Sequence, residues 1–107
     1  MSHVQELRTR IARARFLSGL PKGELFLVTT PLRDNNYAEV VFVLVDRIEG
    51  TQIVGRIASR INLVKGFRNG DAYQLAESDI LDWTITKPDG SEEGNFVGKF
   101  LDTYQRK

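Results

Sequence analysis

The spacing of apolar positions in this 107-residue chain switches between helical and extended periods. Val4, Leu7, Ile11 and Ala14 recur three and four residues apart, which places them on one face of a helix from Ser2 to about Gly19. That face is predicted to lie on a sheet. Pro21 and Gly23 follow as a turn, and Glu24 to Thr30 reads as a first strand, with Pro31 at its end or at a sheet edge. After the loop PLRDNN, Tyr37 to Ile48 carries a nearly unbroken apolar run, as expected of a central strand covered on both sides. Glu49, Gly50 and Thr51 turn the chain into Gln52 to Ala58, so residues 37 to 58 are predicted to form a hairpin. Gly55 in mid-strand marks a bulge or a close approach by a neighbour.

Beyond the hairpin, Ile61, Val64 and Phe67 recur at helical spacing, with Ser59 placed to cap a short helical turn from Arg60 to Phe67. Ala72 to Leu75 reads as a short strand and Ile80 to Thr86 as the last clear one. In the latter, Leu81, Trp83 and Ile85 are predicted to face the core and Asp82 the opposite side. Lys87 to Gly90 is a turn. Asn95 can cap a terminal helix through Phe96, Val97, Phe100, Leu101 and Tyr104, although Gly98 leaves a strand from Phe96 to Leu101 as the alternative. The pattern predicts a single α+β domain over residues 1 to 107. Its expected form is a curved, mainly antiparallel sheet of about five strands with an N-terminal helix and a C-terminal helix.

Composition narrows the chemistry more than it names it. The chain is 41% hydrophobic and 27% charged, ordinary globular usage, and its length suits one core. It has no cysteine, which excludes disulfides, thiolate nucleophiles and zinc–thiolate sites. No apolar run is long enough for a membrane helix, and the start lacks the apolar core of a signal peptide, so a cytoplasmic location is expected. No metal or cofactor is expected.

The net charge of +1 conceals a segregation of sign. Arg8, Arg10, Arg13, Arg15 and Lys22 lie in the first 22 residues against Glu6 alone. Asp71, Glu77, Asp79, Asp82, Asp89, Glu92 and Glu93 lie in residues 71 to 94 against Lys87 alone. Two solvated faces lying near each other would account for this.

Several functional classes follow from these residues. Glu77, Asp79 and Asp82 form a candidate surface for an unidentified protein partner, with an exposed sheet edge as the other route to such binding. Arg56, Arg60, Lys65 and Arg68 would serve a nucleic-acid-binding module, though no aromatic single-strand motif accompanies them and nearby acids oppose phosphate. Asp79 and Asp82, backed by Glu77 and Asp71, would serve a carboxylate-dependent enzyme, against which stand a turn role for Asp71, a cap at the strand entry for Asp79 and local backbone bonds for Asp82. His3, the sole histidine, lies near the terminus. Trp83 is expected in the core, and the glycines match no phosphate loop or dinucleotide fingerprint. Protein binding or regulation therefore ranks above catalysis.

From Tyr37 onward, AEVVFVLV, IVGRIASR, RNGDAYQL, DILDWTI and GNFVGKFL follow in order, with Gly70-Asp71 and Ile80, Asp82 and Trp83 the most specific elements. These segments resemble the YegJ-like bacterial family, known as domain of unknown function 2314, and ARARFLSGL extends the likeness towards the start. The resemblance implies a compact bacterial α+β domain without an assigned activity, and transfers no catalytic residue.

Overall fold

The computed structural model describes residue 10 and residues 12–94. Among the described residues six strands run β1 (Leu25–Arg33), β2 (Ala38–Glu49), β3 (Gln52–Ile57), β4 (Ala72–Ala76), β5 (Asp82–Thr86) and β6 (Glu92–Gly94). They form one open sheet in the order β4-β3-β2-β1-β5-β6, with every pairing antiparallel. A helical segment, α1, covers residues 12–17, and a 3-10 turn spans Glu77–Asp79. The sheet thus has one strand more than the five expected. The C-terminal helix and the histidine of the sequence reading lie outside the described residues.

One face of the sheet carries the core, in two adjoining clusters. Under α1 lie Phe26, Val28, Val43, Val45, Ile53, Leu75, Trp83 and Ile85, with Ala12 buried among them and Phe16 and Leu20 packed alongside. Ala12, Phe16 and Leu20 are four residues apart, so this line meets the sheet while Ala14, assigned to the core face by its spacing, is exposed. Farther along the same face, Leu32, Val41, Ile57 and Val64 cluster beneath Ile61 and Phe67.

The other face is less covered. β2 buries Val41, Val43 and Val45 but leaves Phe42 and Leu44 half-buried and Val40 58% exposed, so the apolar run is not enclosed on both sides as expected. Thr29, Asp82 and Thr84 are nonetheless buried there.

Pro31 does not end the first strand. It pairs with Val40 inside β1, whose register carries on to Arg33 opposite Ala38. The Asp34 N–H donates to the Tyr37 carbonyl at 2.9 Å, and alternation back from that pair turns the nitrogen of residue 31 away from β2. It faces the flank where β5, whose pairing with β1 stops at Thr29 and Asp82, is no longer present. The missing N–H therefore breaks no ladder bond.

Gly55 answers to both sequence readings. A Cβ there would stand 2.1 Å from the Leu44 carbonyl oxygen, and the β2–β3 register shifts just beyond, between Val45 and Arg47. Close approach of two backbones across a bulge is what the glycine permits.

The predicted helical turn at residues 60–67 is instead an irregular loop. Ile61, Val64 and Phe67 do face the sheet while Leu63 is exposed, and the carboxylates of Asp34 in the β1–β2 connection and Glu39 in β2 hold the loop's backbone. Glu39 accepts from the N–H groups of Asn62, Leu63 and Val64, the last two at 2.8 and 2.9 Å, and Asp34 accepts from Lys65 at 2.8 Å. Ser59 turns to the sheet, its hydroxyl accepting from the Phe42 N–H at 2.8 Å. Amides used in this way are not in a helical ladder.

Candidate functional site

The acidic stretch separates into residues with different neighbours. Glu77 opens the 3-10 turn and lies 3.7 Å from the Arg13 guanidinium of α1. Asp79 closes that turn and is exposed, while its backbone carbonyl accepts from the Thr30 hydroxyl at 3.3 Å. Asp82 is only 4% exposed, and its carboxylate accepts from the Trp83 N–H at 2.8 Å. Glu77 and Asp79 thus share one turn at the sheet's rim. Asp82 belongs to the interior of the second face and does not contribute to an exposed acidic surface.

Trp83 packs in the core, as its alternation with Ile85 predicts, but Leu81 does not join it. Leu81 is 39% exposed and Ile80 is buried in its place. The reason is local. The Ile80 N–H returns to the Glu77 carbonyl at 3.2 Å, so regular alternation begins only at Asp82.

Opposite charges from the two ends of the described chain meet. Arg15 of α1 and Lys87 both pair with Glu93 on β6, Lys87 at 2.8 Å, and hydrogen bonds first from Arg15 and then from Lys87 lower the Glu93 carboxyl from 4.5 to about 2. With Arg13 beside Glu77, the basic helix and the acidic region are neighbouring faces. Asp34 and Glu39 are also held below the usual carboxylate range, Asp34 chiefly by the Lys65 N–H and Glu39 chiefly by the Val64 N–H.

The basic candidates are dispersed by these acids. Arg56 is exposed on the second face, 3.9 Å from Asp46 and 3.4 Å from the Gly70 carbonyl. Arg60, Lys65 and Arg68 are exposed along the loop whose amides bind Asp34, Glu39 and, at Arg68, Asp71 at 2.9 Å. Among the described residues no group of three or more His, Cys, Asp or Glu is placed to hold a metal ion, and no helix is long and apolar enough to cross a membrane.

The feature that sequence reasoning did not locate is the free edge of β4. The Ile57 N–H donates to the Asp71 carbonyl at 2.9 Å and the Glu77 N–H to the Thr51 carbonyl at 2.8 Å. Between them Tyr73 stands opposite Gly55 and Leu75 opposite Ile53. Alternation in an antiparallel ladder therefore turns the backbone N–H and C=O groups of Ala72 and Gln74 and the N–H of Ala76 outward, while the Ala76 carbonyl is taken by the 3-10 turn that it caps. No described strand lies beyond them. The one sequence signal was a short uncharged run, Ala72 to Leu75, but nothing in that run says that it closes a sheet.

Comparison with protein-family models, curated proteins and solved structures produced no match to this chain.

Proposed function

We propose that this domain is a small bacterial protein-binding or regulatory module of the YegJ-like kind, acting in the cytoplasm through the sheet edge at β4 and the acidic turn beside it. The supporting observation is the row of outward backbone groups on an edge strand with no charge, proline or bulge between Ala72 and Ala76. Such edges are templates for another strand unless they are blocked, and this one is not blocked by its own residues. Glu77 and Asp79 at its end add a negative rim that steers a basic partner and weakens with salt.

The test is immobilised protein challenged with extract of its host beside a column of an unrelated domain. A discrete protein retained only by this domain and released by salt supports the reading. A retained set identical on both columns contradicts it.

A nucleic-acid reading has less support, because Asp34, Glu39 and Asp71 interrupt the basic positions. Salt-sensitive retention of nucleic acid on a filter, lost on replacing Arg60, Lys65 and Arg68, would favour it over protein binding.

A further inference from the structure

We infer that β4 takes up an extended peptide, uncharged where it pairs, as an added antiparallel strand, with basic residues preceding that stretch seated against Glu77 and Asp79. This deepens the protein-binding reading and rests on it.

Ala72 and Gln74 each offer a main-chain donor and acceptor, and Ala76 a donor, in register for a strand. Their side chains are small or neutral, and Ala72 and Gln74 are exposed, so nothing in β4 bars an incoming backbone. Gln74 is turned along the sheet, its amide donating to the Gln52 side chain at 3.3 Å. Every neighbouring pair in the sheet is antiparallel, and an added strand that continues the pattern forms straight rather than slanted bonds.

Charge fixes which end of the peptide is basic. The start of β4 is mixed, because the Arg56 guanidinium donates to the Gly70 carbonyl next to Asp71. At the other end Glu77 and Asp79 share one turn, with Arg13 beside Glu77. An antiparallel guest has its N-terminal residues opposite that acidic end.

The same charges argue against a second copy of this chain as the guest. The antiparallel register that pairs all five residues of β4 with their counterparts centres on Gln74. It sets Asp71 opposite Glu77 of the second copy at both ends, and like charges directly opposed destabilise a sheet.

The test titrates three capped peptides, KKTVTVT, TVTVTKK and EETVTVT, into isotope-labelled protein at low salt, following backbone amide resonances. The expected result is saturable shifts centred on Ala72, Gln74 and Ala76 with KKTVTVT, and binding weaker by about tenfold or more with EETVTVT, each charge contact being stronger at low salt. TVTVTKK binds more weakly than KKTVTVT. Gln74→Pro removes an outward N–H without touching the β3 ladder, and is expected to weaken binding by about tenfold, the effect of one or two lost main-chain bonds. Should that variant lose its native spectrum, the pair Glu77→Gln and Asp79→Asn tests the rim instead, and equal affinities for KKTVTVT and EETVTVT are then expected.

Equal binding of KKTVTVT by a native Gln74→Pro protein overturns strand addition. So do shifts confined to Glu92, Glu93 and α1, which would leave protein binding through the acidic face intact. No saturable shift with any peptide overturns this inference, while a host protein retained on the column would still uphold the broader reading.

Discussion

Gly55 is a position where a single added carbon disrupts the sheet, because the carbonyl of Leu44 is backbone and cannot swing aside. Gly55→Ala is expected to destabilise the domain by about 1–3 kcal/mol through forced separation of β2 and β3, measured as a lower urea midpoint with an unchanged slope. Titration supplies a second residue-scale prediction. Glu93, Asp34 and Glu39 all have carboxyls lowered in the folded protein, so each contributes stability above its unfolded value and loses it as pH falls through the folded one. For Glu93 the loss is spread from about pH 4.5 down to about 2. Glu93→Gln should therefore flatten the acid limb of a melting-temperature profile and leave the region above neutrality parallel to the parent. The sequence announced Gly55 as a special position but did not announce Glu39, since the N–H groups it accepts from lie more than twenty residues away and leave no local spacing to read.

At the scale of elements, periodicity was informative where neighbours are close in the chain. The hairpin of β2 and β3 and the turn from Lys87 to Gly90 stand where they were expected, the latter closed by the Gly90 N–H on the Lys87 carbonyl at 2.9 Å. The loop at residues 60–67 misled because Ile61, Val64 and Phe67 point to one side in either conformation. What decides between them is the competing pair Glu39 and Asp34. Glu39→Ala should accordingly speed hydrogen exchange at Leu63 and Val64 while exchange in β1 stays slow. If all amides accelerate together, the loop is not a locally held unit. β6 was missed because a three-residue run, Glu-Glu-Gly, has no strand signature and is ordered by pairing with β5. Pro31 was read as a strand end for want of knowing where β5 stops.

For the whole molecule, the core under α1 depends on Trp83 more than on any charged pair. Trp83→Ala is expected to cost about 3–5 kcal/mol, enough to unfold much of a small domain, and calorimetry checks this directly. Charge segregation, legible from the residue counts, is realised as Arg13 and Arg15 lying against Glu77 and Glu93. The order of strands was not legible, and that order is what leaves β4 at the rim. The functional account turns on that rim being open, so the most direct measurement is residue-resolved amide exchange across β4 in the free protein. An open edge predicts fast exchange at Ala72, Gln74 and Ala76 between slowly exchanging Tyr73 and Leu75. Gln74 protected as strongly as Tyr73 would mean that the edge is already covered, and would contradict the account.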